Sequence, residues 1–251
     1  MKKKYCVQLL CFLFTTVQSF SQVADSSKPV QHVGGTVTAT QNGISLVPSF
    51  SLNKPAVMFD FNIGGKKLTF EPFLRFGMDG KPWSFIFWWR YKLATGDKFK
   101  MSIGAHPSFV FRSISNPQVP DALQVSRFAA FDLTPSYKVA KNTTLGVYYL
   151  FSKGLDASSV RYTHFVTLNA NFSHIGLGKT LYAKYVPQVY YLNMAGRDGF
   201  YVTHSLTLAA NKFPLSVQTI MNKALHTGLA GKNFVWNASV IYSFNKNYVR
   251  R

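Results

Sequence analysis

The sequence is short of acidic residues, of cysteine, of long apolar runs and of helical periodicity. Each shortage closes off a class of protein. Asp and Glu together number 9 against 28 Lys and Arg in 251 residues, for a formal charge of +19. So basic a chain is expected to meet an anionic partner of some kind. The two cysteines, Cys6 and Cys11, both fall in an N-terminal leader. Once the leader is removed, neither a disulfide framework nor a Cys-ligated metal site is available. No apolar run reaches the roughly 18 residues of a membrane-spanning helix. Disorder is excluded from the other side, because 47% of residues are hydrophobic and 16% aromatic. There is no G-x-S-x-G, no H-E-x-x-H, no P-loop and no paired Cys/His spacing. The sequence therefore predicts no catalytic residue, no metal site and no cofactor, and hence not an enzyme.

What is present begins with an address. Residues 1–21 have the form of a secretory signal peptide. Lys2, Lys3 and Lys4 form a basic start, 5–17 is mostly apolar, and Ser19-Phe20-Ser21 places small residues where a signal peptidase reads. Residues 22–34 are polar and aperiodic, which predicts a short periplasmic tail. The remainder, 35–251, is predicted to be one domain.

In that domain the dominant period is two. Phe234, Trp236, Ala238, Val240, Tyr242 and Phe244 share one face. Trp83, Phe85, Phe87, Trp89, Tyr91 and Leu93 share another, and Leu68, Phe70, Pro72, Leu74 and Phe76 a third. Turn residues punctuate the runs, as in Gly64-Gly65-Lys66, Asp79-Gly80-Lys81-Pro82 and Thr95-Gly96-Asp97. Twelve strands are expected, at 36–50, 56–63, 67–78, 82–94, 97–112, 123–140, 142–154, 160–173, 178–194, 199–212, 214–228 and 232–244. No useful helix falls between them, so a meander is the simplest connection.

Alternation allows two barrels. A soluble, lipocalin-like one buries its apolar face, and a membrane one turns that face to lipid and keeps the polar face inside. The strands exceed the roughly 5–6 residues usual in soluble sheets. They suffice for the roughly 9–11 needed to cross a bilayer at a tilt. The apolar face is heavily aromatic, with Trp83, Tyr91, Tyr191 and Tyr242 towards strand ends, as an interfacial girdle requires. The expected fold is therefore all-β: a closed, antiparallel, up-and-down transmembrane β-barrel of about 12 strands in a bacterial outer membrane. Closure is a necessity there, since hydrocarbon satisfies no free N–H or C=O. An even strand number puts both termini in the periplasm and the long connection 113–122 outside. Pro48, Pro72, Pro107, Pro135 and Pro187 fall within the predicted strands, where bulges or bends are expected. Asn42-Gly43 is a strong turn signal. A turn there would make 36–41 a separate strand and the count thirteen, whereas an even count favours a bulge or a late start.

The segments Gly43-Ile44-Ser45-Leu46-Val47-Pro48-Ser49-Phe50-Ser51-Leu52, Gly80-Lys81-Pro82-Trp83-Ser84-Phe85 and Gly104-Ala105-His106-Pro107 resemble a group of exported barrel proteins of Bacteroidota-type bacteria. The leader ending near Phe20-Ser21-Gln22 and the terminal Tyr242-Ser243-Phe244 are similar to that group too. The resemblance implies fold and location, not mechanism. Outer-membrane barrels typically finish on an aromatic residue, and here Phe244 is followed by 245–251, so the insertion signal would be internal.

Parity assigns the lumen. Asp60, Glu71, Arg75, Arg90, Lys92, Lys100, His106, Arg112, Asp132, Arg161 and Lys184 take the inward face, as do the bulky Phe73, Trp88, Phe128, Phe165 and Tyr190. Two outcomes are open. The basic excess could make a narrow passive channel favouring small anionic solutes. Alternatively Asp60, Glu71 and Asp132 could pair with the arginines and plug a structural or anchoring barrel. Lys66, Lys67, Lys98, Lys138, Lys141, Lys179, Lys212 and Lys246, with Arg250 and Arg251, gather at the predicted periplasmic rim. That rim could hold anionic cell-wall polymers. Outer-membrane lipids, lipopolysaccharide among them, are the expected surroundings. Nucleic acid is not an expected partner, because the basic residues do not cluster with exposed aromatics on a soluble module. A distant alternative is a lipid-modifying enzyme using His164 and His204, which take lipid-facing parity near the outer ends of two strands. Their sequence neighbours supply no orienting partner.

Overall fold

The structure, a computed structural model, describes residues 30–114 and 122–249. The predicted leader, the tail as far as residue 29 and the middle of the 113–122 connection lie outside the described residues. Within Val30–Tyr248, one compact unit, twelve strands close on themselves in chain order. They are β1 (Val30–Thr40), β2 (Ala56–Gly64), β3 (Leu68–Gly77), β4 (Pro82–Thr95), β5 (Phe99–Ser113), β6 (Leu123–Ala140), β7 (Thr143–Gly154), β8 (Tyr162–Gly176), β9 (Leu181–Met194), β10 (Arg197–Ala210), β11 (Leu215–Thr227) and β12 (Phe234–Val249). β1 lies beside β12, where the Gln41 N–H donates to the Ala238 carbonyl at 3.1 Å. The barrel is antiparallel and up-and-down, as expected.

The two faces settle which barrel it is. Trp89, Leu93, Leu168, Leu181, Val217, Trp236 and Val240 are each about half exposed. Asp132, Ser84, Thr163, Thr167, Asn222 and Asn237 are buried. Apolar outside and polar inside reverses the soluble arrangement and fits a lipid-facing belt around an enclosed polar lumen. The shortest strand has 9 residues and the longest 18, enough to span hydrocarbon at a tilt.

Three expectations need correction. The first strand does not run over 36–50. β1 starts at Val30, inside the predicted tail, and stops at Thr40. The chain then turns at Asn42-Gly43, but 41–55 forms no further strand, only a single 3-10 turn at Pro48–Phe50. The count thus stays twelve, and Pro48 sits in that turn rather than in a strand. Trp83 does not join the outer girdle. The β3–β4 register shifts between Arg75 and Phe76, leaving Trp83 as the extra residue of a bulge. The bulge breaks the alternation, so Trp83 and Ser84 are both buried.

The four strand prolines are not bulges. Pro72 pairs with Phe87 in β4, while its β2 ladder is interrupted between Phe73 and Phe70 without a change of register. Pro107, Pro135 and Pro187 repeat the pattern, pairing with Ala129, Met101 and His204 on one side and lying in a gap of the other ladder. A proline withholds one donor from one side of its strand, so one ladder thins while the strand continues. β12 continues past Phe244 to Val249, so Phe244 is a mid-strand residue.

The barrel has two unlike ends. The loop end carries the β1–β2, β3–β4 and β7–β8 connections. The turn end, opposite, carries the tight β2–β3 and β6–β7 turns.

Candidate functional site: the lumen

At mid-height the wall of β2–β6 carries a charged belt. Arg90 on β4 donates from Nε to Glu71 Oε2 at 2.8 Å and pairs through Nη1 with Asp132 Oδ2. Glu71 Oε1 accepts from Asn62 Nδ2 at 3.0 Å and from Thr69 Oγ1 at 2.8 Å. Asp132 has no exposed surface. Register explains how Arg90 reaches it, for Arg90 on β4 and Asp132 on β6 both pair with Gly104 on the strand between them. A Cβ at residue 104 would stand 2.6 Å from Asp132 Oδ1 and 3.2 Å from Arg90 Cγ. Glycine is what lets the ion pair lie across β5. Asp60 is on the same side of the lumen, two residues along β2 from Asn62, and is exposed to it. The belt thus sets three carboxylates against one guanidinium. The opposite wall is neutral: Thr203 Oγ1 donates to Asn222 Oδ1 at 2.9 Å, the Tyr190 hydroxyl lies 3.1 Å from the same oxygen, and Gln218 Nε2 donates to Thr207 Oγ1 at 2.9 Å.

Towards the loop end the lumen is filled from within. Residues 41–55 fold inward instead of projecting. Gly43 ties the segment's two ends, donating to Lys54 O at 2.9 Å and accepting from Leu52 N at 2.7 Å. A Cβ at Gly43 would come within 3.0 to 3.3 Å of Leu52, Trp83 and Ala56. Two wall residues grip the segment's carbonyls: Trp83 Nε1 donates to Phe50 O at 2.8 Å and the Tyr190 hydroxyl to Leu46 O at 3.0 Å. Leu46, Val47 and Phe50 pack on a buried cluster of Phe165, Tyr190, Leu192, Met194 and Tyr201, with the Phe50 and Phe128 rings 5.4 Å apart. Burial of such apolar surface holds the segment in. A cavity of about 450 Å³ remains beneath it, reached by Ile44, Phe73, Arg75, Trp88, His106 and Tyr148.

The other predicted lumen residues divide between the mouths. Arg112 stands at the loop end with its Cζ 5.9 Å from the Phe50 ring centre. With Lys54 and Lys81 it lines a vestibule of about 350 Å³. Lys92, Lys100 and Lys184 are exposed towards the turn end. Arg161 precedes β8 and is exposed, its guanidinium 5.4 Å from the Tyr162 ring centre, so it belongs to the loop-end rim and not the lumen wall. Lys66, Lys67, Lys98, Lys141, Lys179 and Lys212 all lie in or beside the turn-end connections. Arg250 and Arg251 are outside the described residues.

An exposed ion pair fastens the base of the inward segment, with Lys54 Nζ 2.6 Å from Asp79 Oδ2. The Lys54 hydrogen bond, followed by the Lys81 N–H, holds the Asp79 carboxyl below its ordinary range. At Asp156 the Arg127 side chain does the same. A carboxyl depressed in the folded state contributes stability at neutral pH and loses it as the pH falls through the depressed value. The expected result is that carboxyl-carbon NMR titration places both Asp79 and Asp156 below exposed aspartates. An ordinary midpoint at either would show that the pair does not persist in solution. The effect on stability is small, because exposed pairs are screened by solvent.

On the outer face, His204 is mid-strand rather than near a strand end, paired with Pro187. Each outward histidine does have a partner, one strand away and therefore invisible to sequence neighbours. The Tyr149 hydroxyl is 3.0 Å from His164 Nδ1, and the Tyr185 hydroxyl 2.7 Å from His204 Nδ1. These are tyrosine–histidine pairs with near-parallel rings, not a serine–histidine constellation.

A closed twelve-stranded barrel with an inward-folded first loop can be set beside known structures. The chain folds like an outer-membrane porin. It superposes on a KdgM porin with a TM-score of 0.52 at 10% identity, over 84% of this chain and 99% of that one. For a KdgM porin in complex with disordered oligogalacturonate the values are 0.51, 10%, 85% and 99%. At that identity the likeness is one of fold. No protein-family model matches the chain, and no curated protein matches it in sequence.

Proposed function

We propose that this protein is a narrow passive channel of the outer membrane that favours small anionic solutes. The observation behind the reading is the enclosed lumen with lysines and arginines at both mouths. Lys54, Lys81 and Arg112 surround the loop-end vestibule, and Lys92, Lys100 and Lys184 lie towards the other end. Such mouths raise the local anion concentration. Thr167 Oγ1 and Gln188 Nε2 are buried in the wall with no protein partner. Polar groups of that kind, out of reach of bulk water, mark close packing of the wall beside them, so the open path is narrow. The fold likeness extends to a porin described in complex with oligogalacturonate, an acidic sugar polymer. The carboxylate belt at mid-height opposes anions, so the preference is expected to be weak.

In planar bilayers under a KCl gradient, the purified protein is expected to conduct with a reversal potential of anionic sign. Lys54→Glu/Lys81→Glu/Arg112→Glu is expected to move that potential towards cation selectivity. An electrically silent barrel, or a cation-selective one, would refute the proposal.

The packed segment 41–55 favours a second reading, a non-conducting barrel whose basic turn-end rim associates with cell-wall polymers. In that case Lys66→Glu/Lys98→Glu/Lys141→Glu weakens cell-wall association, and conductance stays absent in every variant.

A further inference from the structure

The buried guanidinium of Arg75 is the least explained group in the lumen. Its residue is 8% exposed. It hydrogen-bonds Ser84 through Nε and lies between aromatic faces, its Cζ 4.2 Å from the Trp83 ring centre and 5.1 Å from that of Phe73. The two carboxylates that bind an arginine in this lumen are Glu71 and Asp132, and both are taken by Arg90. No ion pair to Arg75 is found among the described residues. Burying a charge without a counter-charge is unfavourable, and cation–π contact offsets only part of that cost. Arg75 also lines the cavity of about 450 Å³ beneath the inward segment. The walls there are mostly apolar, from Leu46, Val47, Phe73, Ile86, Phe128 and Phe165. A second polar group, His106, also lines it; the residue is 9% exposed and its Nδ1 has no hydrogen-bond partner. An apolar chamber of this size with a few polar groups has the character of a small-molecule site.

We infer that this chamber binds an amphipathic monocarboxylic acid, with its carboxylate on Arg75 and its apolar body among Phe73, Ile86, Phe128 and Phe165. The inference rests on the channel reading for its biological sense, since it names a solute class. It does not rest on it for its chemistry. A guanidinium presents parallel N–H donors that match one carboxylate. The hydroxyls of Ser45, Ser108, Tyr148, Ser152 and Thr163 also line the chamber, but its walls are mostly apolar, so an acid with a greasy body covers Phe73, Ile86, Phe128 and Phe165 better than a hydroxylated sugar acid does.

The test is calorimetric titration of the full mature chain in lipid nanodiscs with 4-phenylbutyrate, set beside 4-phenylbutanol, galacturonate and empty discs. Saturable binding of 4-phenylbutyrate is expected, at least tenfold tighter than either control solute. Arg75→Gln should weaken it at least tenfold and remove the preference over the alcohol. Ala130→Leu, which adds bulk to the chamber wall from β6 and leaves the Arg75 side chain unsubstituted, should weaken both aromatic solutes alike. It also keeps the test sound should Arg75→Gln fail to fold. Absence of saturable binding, an unaltered affinity in Ala130→Leu, or equal binding of acid and alcohol would overturn the inference. Bilayer recording on the same preparation separates the two proposals. Conductance without binding removes the chamber and leaves the channel, and binding without conductance does the reverse.

Discussion

Replacing Arg90 by alanine is expected to destabilise the barrel more than any other single change in the lumen, by about 3–5 kcal/mol. The reason is what it leaves behind. Asp132 has no exposed surface, and the Arg90 guanidinium is its only ion-pair partner among the described residues. Glu71 keeps Asn62 and Thr69, so its loss is smaller. Arg90→Ala therefore leaves Asp132 with the Tyr148 hydroxyl but no counter-charge and weakens a second carboxylate, and the cost is that of an unpaired buried charge rather than of a lost contact. Two further variants separate these contributions. Arg90→Lys keeps the charge but has one ammonium where the geometry uses two nitrogens pointing to different carboxylates, so it should rescue only part. Asp132→Asn in the Arg90→Ala background removes the stranded charge and should recover stability relative to Arg90→Ala alone. Urea unfolding of the barrel in lipid vesicles, followed by tryptophan fluorescence, reads all three. If the double variant were no more stable than Arg90→Ala, the buried-charge account of the belt would fail.

The belt also separates what is legible in a sequence from what is not. Period-two alternation locates eleven strands closely and misplaces only the first, and it assigns most faces, because a one-residue slip would move every side chain to the wrong side of the sheet. Asp60, Glu71, Arg90 and Asp132 are legible as lumen residues for that reason. Their pairing is not. It depends on Arg90 and Asp132 flanking Gly104 across three strands, and register across strands is set by turns and bulges that parity does not resolve. Trp83 departs from its expected face for the same reason, since the extra residue at the β3–β4 bulge ends the alternation to which its spacing assigns it. His164 and His204 lack partners in the sequence and find them one strand away.

The inward segment departs furthest from the alternation, and with the largest consequence. Ile44, Leu46 and the residues after them alternate well enough to look like a continuing strand. Their apolar character in fact serves the interior of the lumen, not the lipid. The signal that could reveal this is the conflict itself: Asn42-Gly43 demands a turn, while the residues beyond it are too apolar for an exposed loop. A turn followed by an apolar, proline-containing stretch has to bury that stretch somewhere, and the barrel's own lumen is the nearest place.

That packing makes removal of the segment the decisive experiment for function. Replacing residues 44–52 with a short Gly/Ser link, keeping Gly43 and the Lys54–Asp79 pair, withdraws Leu46, Val47 and Phe50 from the lumen. The expected result is a several-fold rise in single-channel conductance with little change in the sign of selectivity, because the basic residues of both mouths are untouched. Stability should fall, since each apolar side chain fully buried is worth about 1.5–3 kcal/mol and these three are partly buried. Tyr190→Phe supplies a graded version. It removes the hydroxyl whose one proton lies between two acceptors, Leu46 O at 3.0 Å and Asn222 Oδ1 at 3.1 Å, while leaving the ring in place. Loss of one net hydrogen bond, about 1 kcal/mol, should loosen the segment and produce more frequent openings at unchanged full conductance. If the shortened protein inserts, refolds and remains silent, the segment is not what blocks the path. The charged belt below it then closes the lumen, and the barrel is a structural one.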